Sequence, residues 1–176
     1  HGAVGVTALL HKGRIVLMAD TLVHEWPDEE DLANIAERAA GVARHLGLEP
    51  RVAFVSFSTF GYPVSERAEK MHIAPRVLDN RGVDFEYEGE MTVDVALNAQ
   101  AQAQYPFSRL SGPANILVVP ARHSASISVK LMQEMAGATV IGPILSGVDK
   151  SIQICPSVAT ATDILNMAVL AACKVG

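Results

Sequence analysis

Two cysteines, Cys155 and Cys173, are the only thiols in 176 residues. They share no CxxC spacing, which excludes a disulfide scaffold or a cysteine-built zinc site, and their apolar neighbours in sequence read as those of buried free thiols. Clustered positive charge is also missing. Lys and Arg number 14 against 19 Asp and Glu and lie scattered, so nothing offers the cationic groove that would replace counterions along a nucleic acid. Apolar runs such as 114–119 fall far short of the roughly 20 residues of a membrane span, and no basic stretch followed by an apolar core opens the chain. A cytoplasmic location without membrane or nucleic-acid partners is expected. The chain contains no GxGxxG, Walker or GxSxG motif. Its six histidines keep no metal-ligand spacing with each other or with the cysteines, so no metal site is expected.

What is present is apolar: 49% of residues are hydrophobic and 19% charged, the balance of one compact domain able to bury a substantial core. The chain opens on His1-Gly2 without an initiator Met, and it is apolar at once from Ala3 to Leu10. A fragment of a longer polypeptide is expected. Ala3 to Leu10 and Arg14 to Ala19, split by His11-Lys12-Gly13, read as a strand hairpin. Asp28 is placed to cap a helix with an acidic first turn and with Leu32, Ile35, Ala36, Ala39, Ala43 and Leu46 at helical spacing. Val52 to Phe57 has the continuous apolar pattern of a strand covered on both faces. Ser65 caps a helix through Met71, with Pro75 expected to kink it or to start a new turn. A strand near Asp84 to Tyr87, a helix from Thr92 to about Ala101, a buried strand from Ile116 to Pro120 and a helix with Ile127, Leu131 and Met135 on one face follow. Val140 to Leu145 and Ser151 to Cys155 are the last expected strands. Thr160 and Asp163 have capping-box spacing for a final helix, Ile164 to Cys173. Alternating strands and helices imply a layered α/β sandwich with a largely parallel sheet, made mixed by the opening hairpin.

Several segments carry groups that chemistry can use. Ser56-Phe57-Ser58-Thr59-Phe60-Gly61 supplies three hydroxyls and a glycine at a strand end, suited to holding a phosphate or carbonyl, or to capping the loop's own backbone. The acidic run Asp28 to Asp31 reads as a first turn complementing the helix dipole, and the carboxylates of Gly89 to Asp94 read as caps at a helix start, with acid/base work as the alternative. Asn115 places a polar amide just before a buried strand, where it needs partners. Gly142 to Gly147 is a glycine-bracketed strand end that permits close backbone approach or a tight turn.

Taken in order, VSFSTFG, GEMTVDVAL, GPANILVVP, VKLMQEMAGAT, IGPILSG and DILNMA resemble the carboxy-terminal half of the phosphate acetyltransferase and butyryltransferase family. SRLSGPANILVVP and DKSIQICPSVATATDILNMA are most similar to the transferase-like domain that ends the large NADP-dependent malic enzymes. The resemblance implies a three-layer α/β/α sandwich with a mostly parallel mixed sheet, of the isopropylmalate dehydrogenase-like, phosphotransacetylase type. Residues 1–176 would form the carboxy-terminal half of the transferase-like domain, as a single compact unit. NADP and a divalent metal, Mg or Mn, would belong to a malate-oxidising part not contained here, leaving no cofactor in this chain. The implied ligand is acetyl-CoA as an effector, and the implied partner is a second copy, in a homodimer or higher homo-oligomer.

Ser58, Thr59, Asn115, Lys130 and Asn166 are the expected ligand-binding residues. The family's active members carry an adjacent Ser-Arg pair followed by an Asp; Pro156 and Ser157 stand at the pair's positions, and Asp163 is retained. Ser126 and Val129 stand where the transferases have an Asn and a Tyr ahead of Lys130. Proline offers no hydroxyl and serine no bidentate cation, so no catalytic residue is expected. Asp163 also has a sufficient structural reason in its capping-box spacing. Two other readings stand beside the regulatory and oligomerising one: a fragment of a working phosphate acetyl- or butyryltransferase, and a purely structural dimerisation module.

Overall fold

The computed structural model describes residues 2–173, with the side chain of Arg67 excepted; His1, and the expectation attached to it, lies outside that range. Strand β1 (Val4–His11) and strand β2 (Arg14–Ala19) form the expected hairpin, with His11 facing Arg14 across the turn. Lys12 and Gly13 both take left-handed φ, 48° and 76°, the geometry whose twist matches that of the flanking strands. Helix α1 (Glu29–His45) follows, closed at its start by a reciprocal capping box: Asp28 accepts from the Asp31 amide and Asp31 from the Asp28 amide. Then come β3 (Arg51–Val55), α2 (Glu66–Arg81), β4 (Glu86–Met91), the short α3 (Val93–Leu97) and α4 (Ala99–Gln102), β5 (Ile116–Val118), α5 (Arg122–Ala136), β6 (Thr139–Ser146) and α6 (Ala161–Ala172).

The six strands form one sheet in the order β4-β3-β5-β2-β1-β6. Strands β4, β3, β5 and β2 run parallel, while β1 is antiparallel to both β2 and β6. Alternate residues feed two cores on opposite faces. Leu17, Val52, Phe54 and Ile116 pack against α1 and α2, whereas Met18, Ala53, Val55 and Leu117 pack against α3 and α5. The close pairing of β6 with β1 depends on Gly142: its φ is 132°, and a Cβ there would lie 2.9 Å from the Val6 carbonyl oxygen, beside the register shift between Val6 and Ala8.

Several sequence expectations are corrected. Ser151 to Cys155 is not a strand: the Gln153 carboxamide bonds both the amide (2.8 Å) and the carbonyl (3.3 Å) of Leu145, so this segment meets the β6 edge through a side chain instead of a backbone ladder. The helix does not stop at Met71, and Pro75 starts no new element: α2 runs through it to Arg81, with Met71, Ala74 and Leu78 burying one stripe against the first core. The expected helix from Thr92 divides at Asn98, whose side chain accepts from the Gln100 amide and so caps α4. Strand β3 stops at Val55, leaving Phe57 61% exposed. Ile127, Leu131 and Met135 do share one face of α5, as expected, and that face points to solvent, at 65%, 58% and 80% exposure. Neither thiol is buried: Cys155 is half-buried and Cys173 exposed, since residue 155 lies in an irregular segment and residue 173 just past the end of α6.

Phe54 is the largest wholly buried side chain, at the centre of the first core. Phe54→Ala is expected to destabilise the fold by about 3–5 kcal/mol, read as a lower urea midpoint with an unchanged slope.

Candidate functional site

Strand β3 feeds α2 on one face of the sheet, and its neighbour β5 feeds α5 on the other. Their carboxyl ends therefore part into a crevice, the place where open α/β sheets present ligand sites. A groove of about 1300 Å³ opens there and runs on over the second face of the sheet. Its polar end is set by Ser56 and Phe57 after β3, Pro120 after β5, Trp26 from the loop after β2, and His123 in the first turn of α5. Its floor is apolar, from Leu9, Met18, Val55 and Leu117, with Leu131 and Met132 of α5 along one wall.

Lys70 of α2 ties the polar end together. Its Nζ donates to the carbonyls of Pro27 (2.9 Å) and Pro120 (3.0 Å) and lies 5.7 Å from the Trp26 ring centroid; Trp26 in turn meets His123 edge to face at 4.8 Å. Burial pulls the Lys70 pKa below the ordinary lysine value, while Asp28 and Glu29 act in the opposite sense. This ammonium is a strut between two strand-end loops.

Two buried carboxylates hold the same edge of the sheet. Asp20, immediately after β2, accepts from the amides of Gly5, Leu22, Val23 and His24 and lies 2.7 Å from His24 Nδ1. Glu90 accepts from the Ser58 hydroxyl (2.9 Å) and the Gly61 amide (2.7 Å) and lies 2.9 Å from His72 Nδ1. Burial alone would raise the Glu90 pKa, but the Gly61 amide, its own backbone, His72 and Ser58 outweigh it and hold the carboxyl below its usual range. Arg76 lies 3.1 Å from His72 Nε2; as an obligate donor it leaves that nitrogen to accept, which places the neutral ring's proton on Nδ1, facing Glu90. Glu90 is therefore no helix cap, as its sequence position suggested, but a strand residue anchoring the β3–α2 loop.

The five expected ligand-binding residues do not meet in one place. Ser58 is buried and committed to Glu90, and the Thr59 hydroxyl bonds the Thr92 amide and hydroxyl. Asn115 lies at the opposite, amino end of the parallel strands, where its amide accepts from Arg51 N (2.9 Å) and donates to Glu49 O (2.7 Å). Lys130 is exposed on α5, and Asn166 is half-buried on α6. Asp163 completes the capping box of α6, accepting from the Thr160 amide (2.8 Å) and hydroxyl (2.7 Å), and these bonds hold its pKa down. Pro156 and Ser157 form an exposed turn just ahead of that cap. Lys70, Asp20, His72 and Trp26 did not emerge from sequence reading; the one available signal was a carboxylate ending an apolar strand, as in Leu17-Met18-Ala19-Asp20. Among the described residues no three His, Cys, Asp or Glu side chains gather into a metal site, and no helix is long and apolar enough to cross a membrane.

This sheet order and its crevice define an α/β protein of the phosphotransacetylase class. The structure superposes on a phosphotransacetylase from Streptococcus pyogenes with a TM-score of 0.92 at 28% identity, covering 99% of this chain and 54% of that one. Residues 2–172 match the model of the phosphate acetyl/butaryl transferase family, and the chain belongs to that family. It is 56% identical over its whole length to an NADP-dependent malic enzyme of Rhizobium meliloti (strain 1021) but spans only 23% of that protein. It is 31% identical over 159 residues to the phosphate acetyltransferase of Bacillus subtilis (strain 168), covering 90% of this chain and 49% of the transferase. The chain is thus a transferase-type domain of the kind carried within NADP-dependent malic enzymes.

Glu90→Gln keeps the shape but removes the charge that three groups address, and it is expected to cost about 1–3 kcal/mol at neutral pH. Because the folded carboxyl titrates below its unfolded value near 4.3, its contribution is complete above that pH and is lost as the pH falls through the folded pKa. Urea unfolding of both forms should show their stability gap shrinking on acidification below about pH 4.

Proposed function

We propose that the chain is a regulatory and oligomerising domain of a cytoplasmic NADP-dependent malic enzyme that binds acetyl-CoA as an effector without transferring its acetyl group. The observation that carries this reading is the state of the loop before α6. The one carboxylate that the family resemblance offers for chemistry, Asp163, is consumed by its capping box, and Pro156 and Ser157 supply neither an orienting hydroxyl paired with a cation nor a guanidinium. Developing charge on a transferring acyl group would find no fixed positive partner from these residues. The chemistry of the parent protein, oxidation of malate with NADP and decarboxylation to pyruvate on a divalent metal, belongs to sequence outside this chain.

The oligomerising half of the proposal is supported by α5. Ile127, Leu131 and Met135 line an exposed apolar face beside the apolar floor of the groove, and a second copy of this chain is the occupant proposed for it. Leu131→Glu in the complete polypeptide is expected to shift sedimentation toward the smaller species; unchanged assembly would reject this interface.

The regulatory half is tested by titrating acetyl-CoA into the complete polypeptide while following malate turnover. The expected result is a saturable change in turnover with no acetyl phosphate formed from acetyl-CoA and phosphate. Acetyl phosphate made at a rate typical of a dedicated transferase would overturn the proposal, as would turnover that ignores acetyl-CoA.

A further inference from the structure

Arg38 differs from the other arginines whose side chains are described. Each of those donates to a carboxylate, a backbone carbonyl or, for Arg76, a histidine nitrogen. Arg38, half-buried on α1, has no hydrogen-bond or ion-pair partner in the described structure. A guanidinium without a counter-charge keeps its paired N–H donors for an anion that arrives.

The position of this cation says where the anion would come. Helical side chains lean toward the helix amino end, and α1 begins at the carboxyl edge of the sheet, so Arg38 reaches back toward that edge. It arrives beside Gly147, the residue after β6: a Cβ on Gly147 would stand 3.1 Å from Arg38 Nε and 2.7 Å from the Gly2 carbonyl oxygen. Only glycine, here at φ 83°, lets the start of that loop pack so close to the guanidinium. Gly147 begins the loop that leads through Pro156 and Ser157 to α6, and the Val148 and Asp149 amides donate to no group in the described structure. An unpaired planar fork thus faces a loop with free amides and no arginine of its own.

We propose that Arg38 is the anion-recognition residue of the effector site, taking a phosphate or phosphoanhydride of the coenzyme through its paired N–H groups. The inference rests on the regulatory reading above and adds a residue to it. Arg38 supplies from α1 the positive charge that position 157 lacks.

The test compares Arg38→Ala, Arg38→Lys and wild type as complete polypeptides, with calorimetric titration of acetyl-CoA and, separately, of inorganic phosphate. Arg38→Ala is expected to weaken acetyl-CoA binding about tenfold or more, the loss of one charge-assisted contact, and Arg38→Lys to recover part of it. The unliganded melting temperature of Arg38→Ala should not fall below the wild-type value. Wild-type binding of acetyl-CoA that Arg38→Ala leaves unchanged overturns the inference while the regulatory reading stands. No acetyl-CoA binding by wild type overturns both. Loss of phosphate binding in Arg38→Ala with acetyl-CoA binding intact overturns the coenzyme as ligand in favour of free phosphate. A lowered melting temperature or altered assembly at unchanged affinity overturns it in favour of a salt bridge to another part of the assembly.

Discussion

Three residues hold the sheet together. Ile116, Leu117 and Val118 of β5 are inserted between β3 and β2, paired on both sides and buried on both faces. Without β5 and the residues that flank it, the β3–β4 pair would lose its ladder to the β2–β1–β6 half. So short a strand cannot set its own register through length, and Asn115 does it instead: its backbone carbonyl accepts from Leu17, while its backbone and side chain bond Arg51 and Glu49. A leucine of similar volume would leave the Arg51 amide and the Glu49 carbonyl without those partners. The crevice at the other end of the sheet exists because β5 sits where it does, since β3 and β5 send their helices to opposite faces.

That arrangement also explains why the carboxyl edge is rich in charge and poor in free chemistry. Every strand end there leaves backbone amides that no ladder satisfies, and buried amides need partners. Asp20 and Glu90 meet the need by accepting several bonds each, and Lys70 meets the matching need of the Pro27 and Pro120 carbonyls. A carboxylate so occupied is a poor general base, because taking a proton would break bonds that fix its loop. Ordinary loop architecture thus consumes groups that, read one at a time, look like catalytic candidates.

The residues whose meaning is local were readable in the sequence. Lys12-Gly13, the Asp28 cap and the Thr160–Asp163 box each act within four residues, and each stands in the structure as its spacing implied. The alternation of strands and helices carried the layered fold, and the ordered motifs carried the family. The failures share another physics. Gln153 defeats strand pairing with a carboxamide bond to a residue eight positions earlier, and α2 continues through Pro75 because burial of Met71 and Leu78 outweighs one missing donor. The periodicity of Ile127, Leu131 and Met135 shows an apolar face but not whether this chain or another molecule covers it. Ser58, Thr59 and Asn115 are polar residues at strand ends in the sequence, but sheet direction separates Asn115 from the other two by the length of a strand.

If an effector acts through this domain, its binding must favour one arrangement of the assembly over another, because a ligand with equal affinity for both shifts nothing. The geometry offers a route for such a difference. Helix α1 carries Arg38 toward the β6 loop, and the same helix packs on α2, whose Lys70 braces the loops after β2 and β5. The loop after β5 leads directly into α5 and its exposed apolar face. An anion drawn to Arg38 would pull on a helix packed into a dense core, and dense cores move as units instead of deforming gradually. Displacement of α1 would then reach the Pro120 carbonyl through α2 and Lys70, and from there the first turn of α5. That chain of contacts is the physical content that coupling between an effector and an interface requires.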